Sequence, residues 1–331
     1  MTTIKQVAHK AGVSIKTVSR VLNNDPNVSS STRAQVQRVI DEMGYRPNFA
    51  ARHMRTQRSQ VLGLITDEIV TTPFAVGLIR GAQDTAWAHN KMLLIASTNG
   101  DSVREQSVIQ MMLERRVEGI IYAAWYHREV APPPALSEAP AVLVDCFAGD
   151  GSLPSIVPDE AEGGYTATDI LLRKGHRRVG FINITPTAPA AVGRMEGYCK
   201  ALADHGLAYD EALVRYAMSG QANDGYQEAH HLLDLADPPT AIFCGNDRVA
   251  MGTYDALKER GLRIPDDVAV IGFDNQEIIA AYLRPALSTL ELPHYVMGQK
   301  AVQFLLSEPT NGATKHAQIR LPCPYIERAS V

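Results

Sequence analysis

The chain of 331 residues contains no run of about 18 apolar residues, so nothing in it reads as a membrane-spanning helix. Its start, Met1-Thr2-Thr3-Ile4-Lys5, lacks the apolar stretch of a secretory signal, and the sequence predicts a cytoplasmic protein. Cysteine is scarce. Cys146, Cys199, Cys244 and Cys323 are far apart and form no C-x-x-C pair, which argues against a disulfide framework or a zinc site. The phosphate-cradling and hydrolytic signatures G-x-G-x-x-G, G-x-x-x-x-G-K-[ST], G-x-S-x-G and H-E-x-x-H are all missing. His230-His231 beside Glu228 does not replace them. Neighbours on a helix point about 100° apart, and the pair reads as surface residues rather than metal ligands. No catalytic residue, metal or cofactor is therefore expected.

What is present is an ordinary globular composition, 45% hydrophobic and 21% charged, with an uneven charge distribution beneath a net charge of −4. Residues 1–60 hold ten Lys or Arg against Asp25, Asp41 and Glu42, a net +7, which leaves −11 for the remaining 271 residues. A small basic head on a large acidic body points to a polyanion-binding module joined to a module with another partner.

Thr3-Ile4-Lys5-Gln6 has the form of a capping box, and Ile4, Val7, Ala8 and Ala11 follow the spacing of one buried helix face. Gly12 ends that helix and Ser14 caps a second, whose inward face is Val18, Val21 and Leu22. A third helix, about Ser31 to Met43, buries Val36, Val39, Ile40 and Met43. The first two helices make a helix-turn-helix. The outward face of the second presents Ile15, Lys16, Thr17, Ser19 and Arg20, types suited to the major groove: Arg pairs with guanine, Ile meets a thymine methyl, and hydroxyls bind phosphate.

From Val61 short apolar runs alternate with amphipathic helices, the pattern of βαβ units. Strands are expected over 61–65, 92–96, 119–123, 141–144, 178–182, 213–217, 241–244 and 268–273. Long loops are expected at 131–140 and 149–158. Eight strands in this order predict two Rossmann-like lobes with a ligand cleft at the strands' carboxyl ends. Asp145, Asn246, Asp247 and Asp274 fall at such ends. Arg194 is expected to open a helix, and Asp247 to cap the one that follows it. Carboxylates, an amide and a guanidinium suit a polyhydroxyl ligand.

Thr3 to Ala8, Ala11-Gly12-Val13-Ser14, Thr17 to Asn23, and Gly44-Tyr45-Arg46-Pro47-Asn48 with Ala51-Arg52 resemble the headpiece and hinge of the lactose-repressor (LacI/GalR) family of bacterial transcription factors. The resemblance implies an all-α helix-turn-helix headpiece over 1–46, a hinge helix over 47–60, and an α/β periplasmic-binding-protein-like core of two Rossmann-like lobes over 61–331. Lobe 1 would take about 61–160 and 290–331, and lobe 2 about 161–289. The last of three crossings between the lobes would lie near 286–290. It further implies a homodimer on double-stranded, pseudo-palindromic operator DNA, contacted by Ile15, Lys16, Thr17, Ser19, Arg20, Asn23, Met54 and Arg55. Met54 stands where the family has a leucine that wedges into the minor groove.

The same resemblance implies a small-molecule effector, contacted by Arg194 in Gly193-Arg194-Met195 and Asp274 in Gly272-Phe273-Asp274 with Phe74 beside them, and Asp145 and Asn246 join this set from their strand-end positions. Ser219-Gly220-Gln221-Ala222-Asn223 replaces an aromatic that stacks on the ligand in many members. A sugar or sugar derivative is the expected effector. A corepressor such as a purine, or a sugar-processing enzyme with an added head, are the alternatives.

Overall fold

The computed structural model describes residues 2–22, 24–45, 59–67, 74–307 and 317–331, apart from the side chains of 74, 75 and 125. The chain divides into two units, Met1–Ser59 and Gln60–Val331.

In the first unit, the reciprocal cap between Thr3 and Gln6 starts α1 (Ile4–Lys10). Gly12 turns the chain at φ +61°, and the Ser14 hydroxyl accepts from the Thr17 amide to start α2 (Ile15–Leu22). Ser29 caps α3 (Ser30–Glu42) in the same way. The three helices enclose Val7, Ala8, Ala11, Val18, Val21, Val36, Val39 and Ile40. Gln35 of α3 donates to the Ala11 carbonyl at 2.9 Å, tying α3 to the turn between α1 and α2.

The second unit has two six-stranded sheets. The first contains β1 (Val61–Thr66), β2 (Met92–Ser97), β3 (Ile120–Val130), β4 (Ala141–Ala148), β5 (Ser155–Pro158) and, much later in the chain, β11 (Gln318–Leu321), in the order β11-β5-β4-β3-β1-β2. Every pairing in it is parallel. Helices α4 (Phe74–Ala88) and α5 (Ser102–Glu114) make its crossovers. Strands β1 and β4 and the start of β3 (Ile120–Ala124) are buried, mostly aliphatic runs, as a sheet covered on both faces requires.

After β5 the chain enters the second lobe at α6 (Glu160–Arg173), which is capped by Asp159. There follow β6 (Val179–Asn183), α7 (Pro189–Asp204), β7 (Val214–Tyr216), α8 (Ala222–Leu233), β8 (Ala241–Cys244), α9 (Asp247–Glu259), β9 (Ala269–Asp274), the short α10 (Glu277–Ala280) and β10 (Ser288–Glu291). Leu292-Pro293 returns the chain to the first lobe, where α11 (His294–Leu306) packs Met297, Ala301 and Val302 into that lobe's core. Past β11 it crosses once more to β12 (Tyr325–Ile326), which pairs antiparallel with β10. The second sheet runs β12-β10-β9-β8-β6-β7.

Three expectations change here. The last crossing lies between Leu321 and Tyr325, not near 286–290, because β10 is hydrogen-bonded into the second sheet beside β9. Residues 325–331 consequently belong with the second sheet rather than with lobe 1: Val270 N–H donates to the Ser330 carbonyl, and the Ser330 hydroxyl donates to Val270 O. The segment 149–158 is not all loop, since 155–158 forms β5 between β4 and β11.

Helices α6 and α7 approach at backbone distance. A Cβ on Gly164 would stand 2.4 Å from the carbonyl oxygen of Arg194, where no atom fits. Gly164→Ala is therefore expected to push α7 outward at a cost of about 1–3 kcal/mol. Thermal unfolding of the purified variant checks this; an unchanged melting temperature would show that the two helices are not in close contact.

Candidate functional site

On the outward face of α2, Ile15 is 44% exposed, Lys16 and Arg20 are exposed, and Thr17 and Ser19 are half-buried. The inward Val18 and Val21 are fixed in the core, so the outward set is held on one rigid surface. Arg20 Nε lies 3.5 Å from the Asp25 carboxylate. Asn23, Met54 and Arg55 lie outside the described residues, as does the side chain of Phe74, whose backbone begins α4.

The body contains a cleft of about 620 Å³ between its lobes. Asp145, Arg194, Asn246 and Asp274 all line it, so residues from β4, α7, the β8–α9 turn and the end of β9 are brought together. Ser219, Gly220 and Gln221 line it as well, at the position where no aromatic was found in the sequence.

Arg194 organises the floor. It is only 3% exposed, yet it does not open α7: Pro189 starts that helix five residues earlier, and Arg194 lies in its second turn. Proline at the first turn, with its φ preset and no amide to satisfy, explains the earlier start. The guanidinium donates from Nε to Glu160 at 2.8 Å and from a terminal nitrogen to the Gly245 carbonyl. Its other terminal nitrogen lies 3.9 Å from Asp274, and its plane sits 3.8 Å above the Phe273 ring centroid.

Asp274 is held at φ +109°, in the left-handed region, and accepts from Gln276 at 3.1 Å. Burial pushes its carboxyl up to about 6, against the pull of Arg194. At Glu160 burial also works upward, but Arg194 and His127 outweigh it and hold that carboxyl below its ordinary value.

The sequence did not single out Glu160, His127, His294 or Gln276, and all four line the cleft. His127 Nδ1 is 3.5 Å from Glu160, and His294 Nε2 is 3.5 Å from Asp145. Asp145 sits at φ +55° and is 2% exposed. Among the described residues, its Oδ1 and His127 Nε2 are buried without a hydrogen-bond partner, while Glu160 Oε1 and His127 Nδ1 face each other. Glu160 carries one signal that was legible, an acid in the first turn of a helix, but that signal reads equally as dipole stabilisation.

Asp247 is not a cap. Asn246 holds that place, accepting from the Val249 amide at 2.8 Å while donating to the Gly220 carbonyl at 3.1 Å. Both polar ends of Asn246 are thus engaged. Asp247 is fully buried behind it and accepts from Thr289 Oγ1 and the Gln276 amide, both at 2.6 Å. Burial and the neighbouring Asp274 push its carboxyl well above the ordinary range.

The sign of the Asp274 shift gives a pH dependence. The folded chain holds this proton more tightly than the unfolded one, so its contribution to stability is present below about pH 4 and lost as pH rises to about 6. Asp274→Asn is expected to flatten the change in melting temperature across that window. Parallel profiles for the two proteins would assign the window to other groups.

Among known proteins, residues 3–48 match the model for bacterial regulatory proteins of the lacI family, and residues 168–331 match that of a periplasmic binding protein-like domain. The NTD biosynthesis operon regulator NtdR of Bacillus subtilis strain 168 is 33% identical over 331 residues, covering the whole of both chains. The sucrose operon repressor of Escherichia coli is 33% identical over 339 aligned positions, again covering all of both. Among solved structures, the lac repressor dimer bound to operator and the anti-inducer ONPF aligns with a TM-score of 0.78 at 25% identity, covering 99% of this chain and 98% of that one.

Proposed function

The chain belongs to the lacI family of bacterial regulatory proteins, a sequence-specific DNA-binding transcriptional regulator, and from that premise we propose that it is a repressor controlled by a polyhydroxyl ligand, a sugar or sugar derivative, held in the interlobe cleft. The observation that carries the ligand reading is a pair of buried polar atoms lining the cleft that have no hydrogen-bond partner among the described residues, Asp145 Oδ1 and His127 Nε2. Each such group left unpaired costs about 1–3 kcal/mol, and ligand hydroxyls, which both donate and accept, satisfy carboxylates and imidazoles alike. Arg194 and Asp274 fix the ligand's orientation. The names of the sucrose and ribose operon repressors among the relatives support the same ligand class.

On the DNA side, a homodimer presents two copies of α2 to the half-sites of a pseudo-palindrome. Lys16, Arg20 and Ile15 read base edges, Thr17 and Ser19 bind phosphate, and Asn23, Met54 and Arg55 complete the contact. Ligand that favours one arrangement of the lobes shifts operator affinity, and operator shifts ligand affinity by the same factor.

Selection from a randomised duplex library tests the DNA reading. The intact protein should enrich an inverted repeat, and Arg20→Ala should lose about 1–3 kcal/mol of discrimination at one symmetry-related base pair. Equal weakening on every sequence would restrict Arg20 to phosphate. A melting-temperature screen with mono- and disaccharides tests the ligand class, since a specific ligand stabilises by mass action; no shift from any sugar would remove it.

A further inference from the structure

The head carries only three acidic residues, and two of them do routine work: Glu42 pairs with Lys10 at 3.0 Å, and Asp41 accepts from Gln37 on the same helix. Asp25 is different. It lies just past the C-terminus of α2, where the helix dipole disfavours an anion, and next to the face that meets a polyanion. Non-specific DNA binding would be easier without its charge.

The local structure nevertheless holds that charge firmly in place. Asp25 Oδ1 accepts from the Asn27 amide at 2.9 Å and from the Asn27 side chain at 3.0 Å, an Asx turn. Its own amide donates to the Arg20 carbonyl at 3.0 Å. Arg33 of α3 forks onto the same loop, donating to the Asp25 carbonyl at 2.7 Å and to Asn24 Oδ1 at 3.2 Å. With Oδ1 committed to Asn27, Oδ2 is the oxygen that stands 3.5 Å from Arg20 Nε.

We infer that Asp25 is a positioning residue for base reading: its carboxylate fixes Arg20 through Nε and thereby sets the arginine's selectivity for its base pair. The inference rests on the assignment of Arg20 to base reading. A carboxylate on Nε leaves both terminal amino groups for the two-bond contact with guanine N7 and O6. It also restrains a side chain that is otherwise half exposed and rich in rotamers, so less order must be imposed on binding. The Asn27 amide foremost, then Arg20 and Arg33, hold the Asp25 carboxyl below its ordinary value, so it is ionised wherever the protein binds DNA. Its negative charge opposes loose attraction to any phosphate backbone, which the correctly placed arginine overcomes only where the base edge matches.

Asp25→Asn tests this, because asparagine keeps the oxygen that accepts from Asn27 and removes the charge. Binding of the full-length protein is measured to the duplex selected by the intact protein, to that duplex with the Arg20-dependent base pair substituted, and to a random-sequence duplex. The expected result has two opposite signs. Discrimination at the Arg20 base pair falls about two- to fivefold, the scale of an exposed ion pair, while the random duplex binds more tightly. Asp25→Ser, which also supports the turn, should behave in the same way. Unchanged discrimination overturns the inference, as does an equal loss on all three duplexes, which marks a purely structural role. If Arg20→Ala itself leaves base preference intact, the assignment of Arg20 falls first and takes this inference with it.

Discussion

The body is arranged around one buried guanidinium. Arg194 lies in the second turn of α7, yet its charge is answered by Glu160 from the first turn of α6, by the Gly245 carbonyl after β8 and by Asp274 at the end of β9. A charge this deeply buried is tolerated only with such partners, and removing one costs far more than the pair contributes relative to an apolar substitute. The constraint reaches outward. Glu160 must directly follow the first crossing between lobes, Gly164 must lack a side chain so that the Arg194 backbone can approach, and Asp274 must hold a left-handed backbone. The last is stabilised by Gln276, whose amide is anchored on buried Asp247.

On the ligand reading proposed above, that arrangement lets the cleft act as a sensor. His127 and Asp145 extend from the first sheet, while Glu160, Arg194 and Asp274 belong to the second lobe. A ligand bridging them has something to gain from one relative placement of the lobes, which is the differential affinity any population shift requires. The head is built by the opposite logic. Its small core fixes the back of α2 so that the front carries a rigid set of side chains, on a unit whose +7 charge contrasts with the −11 body.

Much of this was legible in the residues. The capping box at Thr3, the glycine turn and the valine spacing predict α1 to α3 to within a residue or two, because local rules decide short capped helices. The strands of the first βαβ units are apolar runs four or more residues long and stand out. Strands β5, β10, β11 and β12 do not: they are four residues or fewer, and each takes one partner from remote sequence. For the same reason the C-terminal segment was assigned to a single lobe although it serves both. Asp145, Asn246 and Asp274 are legible from their places at strand ends, and Arg194 from its motif rather than from the helix start expected of it. His127 was hidden inside a strand, Glu160 read as an ordinary first-turn acid, and His294 follows a proline with no pattern of its own. Asp247 departs from the cap expected of it because sequence does not distinguish which of two adjacent polar residues turns inward.

We propose that occupancy of the cleft changes operator affinity through Asp274 and Arg194. Fluorescence anisotropy of a labelled, selected operator measures it directly, with each melting-temperature-positive sugar titrated into complexes of the intact protein and of Asp274→Ala. The sugar should change operator affinity for the intact protein, whereas Asp274→Ala should bind the same operator equally well without responding. A variant that responds at the same sugar concentration and to the same extent would contradict the proposal.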